Sequence, residues 1–116
     1  MGQQLDWKWM FTTPEGRIER GRWWIGVAVL FAAWLVARIL FGTDGLVALV
    51  VGIVIFLAGL MLHIKRCHDR DKSGWWCLLL LIPVVGFLWA LIDLGLLEGT
   101  PGANRYGPDP LAREQV

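Results

Sequence analysis

Three long runs of apolar residues divide the chain, separated by short polar stretches. The first runs from Trp23 to Phe41 and is broken only by Arg38. The second, Gly45 to Leu62, carries no charge, and the third, Trp75 to Leu97, contains Asp93 together with Pro83 and Gly86. Each approaches the ~20 helical residues needed to cross a bilayer core of about 30 Å, so the pattern predicts three transmembrane helices over 23–41, 45–62 and 75–97. The first run is too long for a signal-peptide core and lacks a small-x-small cleavage site after it, so it reads as retained. Gly42-Thr43-Asp44-Gly45 has the composition of a tight turn, which makes the first two helices antiparallel neighbours. Pro83 and Gly86 allow two courses for the third run. A kinked single crossing is the favoured one, and a re-entrant hairpin returning the tail to its starting side is the other.

The flanks read differently. In residues 1–22, Leu5, Trp7, Trp9 and Phe11 alternate with Asp6, Lys8 and Met10, which predicts a short extended or irregular segment at the membrane interface. Thr13 followed by Pro14 has the composition of a helix start. Residues 98–116 are rich in Gly and Pro and predict a non-helical tail. The expected fold is therefore an all-α membrane protein: an interfacial N-terminal segment (1–22), a three-helix transmembrane domain (23–97) and the tail (98–116). No internal repeat and no glycine-rich phosphate-binding loop is recognisable.

Composition agrees with this pattern. Of 116 residues, 56% are hydrophobic and 18% charged, and mean hydropathy is +0.54. Soluble domains carry about a quarter charged residues, spread more evenly, so a soluble globule is excluded. Eight tryptophans fit a chain with two membrane boundaries. A net charge of +1 gives no electrostatic reason to expect a nucleic-acid partner.

The placement of the cations says more than their sum. Lys8, Arg17, Arg20 and Arg22 precede the first run, and Lys65, Arg66, Arg70 and Lys72 lie between the second and third. The turn at 42–45 has none, so the N-terminus is expected on the cytoplasmic side and, with three crossings, the C-terminus outside. Arg17, Arg20, Lys65, Arg66, Arg70 and Lys72 are then candidate contacts for anionic lipid head groups or a partner, each worth about 1 kcal/mol near an anionic surface.

Candidate chemistry is sparse. His63, Cys67, His68, Asp69, Asp71 and Cys77 cluster in sequence, but no second clean ligand pair follows, and no metal is expected. Asp69-Arg-Asp71-Lys-Ser73-Gly74 begins like a calcium loop but places Leu80 where a bidentate Glu is required. The simpler role for Asp69, Asp71 or Ser73 is to cap the third helix, with Gly74 relaxing the turn. A His68/Asp69 acid–base pair lacks a nucleophile or metal to complete it, so no catalytic residue and no cofactor are assigned. Cys67 and Cys77 are expected as free thiols on a reducing side.

Within the runs, Arg38 lies about 22 Å and Asp93 about 27 Å along their helices, so three parallel-depth crossings allow an Arg38–Asp93 ion pair near the outer boundary. The simpler reading lets Arg38 snorkel and Asp93 sit at the wet interface. Gly45, Gly52 and Gly59 recur every seven residues, with Ala48 on the same side, and Gly86 and Ala90 form a small-x-x-x-small pair. Both faces are expected as helix-packing seams, within one chain or between copies in a homo-oligomer.

Three motifs carry a family resemblance. Gly16-Arg17-Ile18-Glu19-Arg20 with Trp24 comes first; Arg66, Asp69, Ser73, Gly74 and Trp75 follow; Gly99 to Pro110, with Asn104, Tyr106, Gly107 and Pro108, closes the set. In this order they resemble the bacterial inner-membrane family known as domain of unknown function 805, the YhaH-like small membrane proteins, over about residues 10–110. Cys67 stands where that family often has Leu. The resemblance implies a small multipass protein of the bacterial inner membrane and supplies no reaction. Taken together, the expectation is an accessory or scaffold protein acting through self-association or through lipid or a membrane partner. The alternatives are a subunit of an oligomeric channel or transporter using Arg38 and Asp93, and, ranked last, a membrane enzyme using the His68/Asp69 loop.

Overall fold

A computed structural model describes residues 6–111; Leu5 of the aromatic alternation and the last tail residues, Arg113 among them, lie outside it. The described residues are mostly helical, with a single isolated antiparallel bridge among them, between Asn104 and Gly107. The molecule is 53 Å long and 30 by 20 Å across.

Two helices set that length. α2, Arg20–Phe41, and α3, Gly45–Asp69, are both long and apolar enough to cross a membrane. They run antiparallel across the short turn, as its composition predicts, and α3 continues seven residues beyond the expected end at Leu62. The extension is enclosed by protein: Leu62 and Cys67 are buried, and Lys65, Arg66 and Asp69 are buried with them. The charges that end the hydrophobic run thus do not end the helix, because they face protein.

The N-terminal segment corrects an expectation. Trp7–Thr12 forms a short helix, α1, not an extended strand, and the side chain of Asp6 caps it by accepting from the Trp9 N–H at 3.0 Å. Met10 is fully buried against the end of α3, and Ile18 beside it. Thr13-Pro14 starts no helix; residues 13–19 turn back toward α2. Gly16 makes that turn at φ +96°, and a β-carbon there would come within 2.9 Å of the Trp9 ring.

The third apolar run departs most from the favoured expectation. Gly74–Leu81 is a 3-10 helix, the chain breaks at Ile82, and α4, Pro83–Trp89, starts with its proline in the first turn before continuing as a π-helical stretch, Ala90–Leu96. α4 packs back against the 3-10 segment. A β-carbon on Gly86 would collide with the Leu79 carbonyl oxygen and lie 2.7 Å from the Leu80 Cα, so only glycine permits the approach. Residues 75–97 therefore form a returning hairpin, and the single kinked crossing is corrected. Asp93 ends beside Lys72, where the run began, with Lys72 Nζ 2.8 Å from its carboxylate.

The glycine stripe on α3 also divides. Gly59 makes ordinary contact with Leu30, 3.5 Å from a built β-carbon, whereas Gly45 and Gly52 have nothing within 4 Å. With the buried Ala48 they line a shallow groove of about 290 Å³ beside Arg38.

Candidate functional site

The polar residues gather at the end of the molecule where α1, the end of α3, both ends of the hairpin and the tail converge. Asp69 is central. Its Oδ1 accepts from Arg17 Nε at 3.0 Å, and its Oδ2 accepts from Arg66 Nη1. All three side chains are buried. A buried carboxylate between two guanidinium groups is held only if the remaining donors find acceptors as well. They do. Arg17 donates to the carbonyls of Thr100 at 2.6 Å, Gly102 at 2.7 Å and Gly107 at 3.0 Å. Arg66 donates to Leu94 O at 2.6 Å and Leu97 O at 2.5 Å. Two arginines thereby cap the end of the hairpin and the tail through backbone carbonyls, and Asp69 joins them.

The tail is fastened further by its own motif residues. The Thr100 N–H donates to Asp69 O at 2.7 Å, and Asn104 Nδ2 donates to His68 O at 2.9 Å. Tyr106 stacks on His68 with ring centroids 3.9 Å apart and planes 3° from parallel. His68 Nδ1 faces the Gly16 carbonyl at 2.9 Å and so carries a proton there. A β-carbon on Gly99 would collide with Asp69 Oδ2, which makes that glycine part of the clamp. Gly107 belongs to the bridge with Asn104, and Pro108 follows on the exposed side.

A second ionic group forms around Asp93. Arg70 Nε donates to it at 3.0 Å and Lys72 Nζ at 2.8 Å, while Arg70 Nη1 also reaches Glu98 O at 2.6 Å. Lys65 donates to Met10 O at 3.1 Å and to Thr13 O, and lies over the Trp9 ring at 4.9 Å. Arg20 donates to Leu96 O and faces Glu98 at 3.9 Å. Glu19, at the start of α2, is pushed above the ordinary carboxyl range by burial, an effect the neighbouring Arg22 only partly offsets.

These positions revise several expectations. Arg17, Lys65 and Arg66 were candidates for head-group contact, but burial turns them inward; Arg20, Arg70 and Lys72 remain partly accessible with internal partners. Asp69 and Ser73 make no side-chain cap on the third run, and Gly74 and Trp75 open the 3-10 helix instead. Arg38 sits at the opposite end from Asp93, donating to Gly42 O at 3.3 Å and lying over Trp34 at 5.3 Å, so the two do not pair. Ala90 is the junction of α4 and the π-helical stretch. Cys67 and Cys77 are buried and free, with their sulfurs 3.9 Å apart. Sequence reasoning missed the convergence of Arg17, Asp69 and Arg66 across 52 residues, and the pairing of Trp23 with His63, whose Nδ1 accepts from the indole at 3.1 Å.

The class follows from this geometry. Two bilayer-length apolar helices, an apolar hairpin folded back on itself and a buried ionic clamp at one end describe a small helical membrane protein. The chain belongs to the family described as protein of unknown function, DUF805, whose model matches residues 11–108 and so contains every clamp residue. It is similar to the inner membrane protein YhaH of Escherichia coli K12, 38% identical over 104 residues covering 83% of this chain and 85% of that one. It is similar as well to the inner membrane protein YhaI of the same organism, at 36% over 100 residues, covering 83% and 84%. The uncharacterized protein YiiR, also of that strain, is 30% identical over 129 residues, covering 88% of each. No solved structure matches the chain.

Proposed function

We propose that this is a non-enzymatic accessory protein of the bacterial inner membrane that works through a lipid or a membrane-protein partner held against its apolar surface. In this reading the N-terminal segment and the tail lie on the cytoplasmic face, α2 and α3 cross the bilayer, and the hairpin dips in and returns. The concentration of Lys and Arg at the clamp end, against none in the turn 42–45, supports that orientation.

One observation carries the functional reading. At the clamp end the buried side chains of Arg17, Lys65, Arg66, Asp69 and Asp93 are engaged with each other, with neighbouring cations or with backbone carbonyls, whereas the helix surfaces are apolar and exposed, Ile39 by 81% and Leu46 by 75%. A His68/Asp69 acid–base pair is disfavoured by the same facts, since both arginines hold Asp69 and His68 is stacked under Tyr106. A channel through Arg38 and Asp93 is disfavoured because Arg70 and Lys72 neutralise Asp93 at the other end of the molecule. Self-association is a second reading, supported by the open groove along Gly45, Ala48 and Gly52.

The test is the mass of the particle gently extracted from its native membrane, with identification of what accompanies it. A stoichiometric foreign membrane protein or lipid is the expected result. A closed homo-oligomer whose ion flux in vesicles is abolished by Asp93→Asn would overturn the accessory reading in favour of a channel.

A further inference from the structure

The groove between α2, α3 and the hairpin has a volume of about 750 Å³, within the ~300–1,000 Å³ of small-molecule sites. Its walls are apolar for most of their length: Phe31 and Trp34 on α2, Phe56 on α3, Leu78 and Leu81 on the hairpin. Three polar residues, His68, Ser73 and Tyr106, line its mouth at the clamp end, and His63 lies deeper. Along α3 the lining extends from Ile55 to His68, which is roughly 20 Å of helix. That exceeds half of a ~30 Å hydrocarbon core by about the thickness of a glycerol region. The groove is open on one side: Phe31 is 59% and Leu81 74% exposed. Length, apolar lining and a polar mouth at one end match one membrane lipid of the leaflet at the clamp end.

A single side chain makes the site selective. His63 lines the groove and its Nδ1 accepts a hydrogen bond from Trp23 Nε1 at 3.1 Å. Indole N–H only donates, so the neutral imidazole carries its proton on Nε2. That N–H has no protein acceptor among the described residues, and it opens onto the space left by Gly59, where a built β-carbon would stand 3.9 Å away. A donor at this depth calls for an acceptor that a hydrocarbon chain does not have. His63 lies five residues below His68, about 7.5 Å deeper along the helix. In a glycerophospholipid the ester carbonyls sit just beneath the phosphate, which is the same order of groups. The mouth offers the Ser73 hydroxyl and the first backbone N–H groups of the 3-10 helix.

We infer that the groove between α2, α3 and the hairpin holds one acyl chain of an ester-linked glycerophospholipid, with the ester carbonyl accepting from His63 Nε2 and the phosphate at the Ser73 end. The inference rests on the membrane placement proposed above and gives the lipid partner a chemical class and an address. Native mass spectrometry of the full chain in mild detergent tests it, with 1-palmitoyl-2-oleoyl phosphatidylglycerol and its dialkyl ether analogue as probes.

The wild-type chain is expected to retain one ester lipid per chain, about tenfold more tightly than the ether lipid, the value of one hydrogen bond to a buried donor. His63→Leu should bind both at the ether level, and His63→Gln should restore the preference. Gly59→Leu, which fills the groove, should retain neither. Equal retention of ester and ether lipid by the wild type would overturn the inference without depending on any variant folding. So would undiminished binding by Gly59→Leu, or a dimer carrying no lipid. Equal retention of ester and ether lipid leaves the mass and partner test of the accessory role unchanged, so the two fail separately.

Discussion

Arg17 and Asp69 are 52 residues apart in the chain and form a buried ion pair at 3.0 Å, with side-chain exposures of 1% and 4%. This contact joins the segment before α2 to the end of α3, and through the other nitrogens of Arg17 it holds the tail. Bringing charges into such a place stabilises only when every partner is present; removing one leaves the others buried and uncompensated.

Asp69→Asn keeps the shape and removes the charge that two arginines share. The expected loss is about 3–5 kcal/mol, the usual cost of breaking a buried pair from one side. A thermal melt in detergent micelles reads it directly. Arg17→Lys keeps the charge but loses the planar fork that reaches Thr100, Gly102 and Gly107, so the tail should become cleavable by protease while the helices stay folded. The native cysteines give a second readout. Cys67 and Cys77 are the chain's two thiols and both are buried, so maleimide should label them slowly in the wild type and faster in Asp69→Asn. An Asp69→Asn protein with unchanged melting and labelling would remove the clamp from any structural role.

Two glycines of the apolar runs should respond oppositely to the same substitution. Gly86→Ala drives a methyl into the Leu79 carbonyl at the hairpin's close approach and should cost about 1–3 kcal/mol or open the hairpin. Gly52→Ala meets nothing within 4 Å and gains helix propensity, so the monomer should be unharmed or more stable by up to about 1 kcal/mol. Melting temperatures of the two variants in the same detergent decide this. A destabilised Gly52→Ala would mean that the stripe is covered by a second copy, which cross-linking of the intact membrane would then detect.

Much of the architecture is legible in the pattern of apolar and polar residues, because length and turn chemistry are local properties. The two long helices and the Gly42–Asp44 turn follow from them directly. The third run is ambiguous for a physical reason: Pro83 and Gly86 allow a reversal as well as the favoured kink, and the reversal is accompanied by Asp93 meeting Arg70 and Lys72. The cations mislead differently. Lys65 and Arg66 continue a helix that their charge would be expected to end, since α1 and the end of the hairpin supply carbonyl acceptors from distant parts of the chain. The described part of the tail, residues 98–111, is non-helical, and its docking depends on Arg17 and is invisible locally. His63 gives no sequence signal beyond its type; its importance comes from Trp23 occupying one ring nitrogen and leaving the other facing the groove.

The returning hairpin predicts the side on which the tail emerges. With Cys67 and Cys77 replaced by alanine, single cysteines at Lys8, Asp44 and Ala103 report on the N-terminal segment, the turn and the tail. In intact cells whose outer membrane has been made permeable, an impermeant maleimide should label Asp44→Cys and leave Lys8→Cys and Ala103→Cys unlabelled until the inner membrane is lysed. The reason is geometric: Arg17, before α2, bonds the carbonyls of Thr100 and Gly102 in the tail, so the two segments cannot lie on opposite sides of a bilayer about 30 Å thick while that contact holds. Labelling of Ala103→Cys together with Asp44→Cys would restore a third full crossing. It would then require Asp93 to give up both Lys72 and Arg70 for the turn end, where Arg38, bonded to Gly42 O and lying over Trp34, is the one cation among the described residues near the turn.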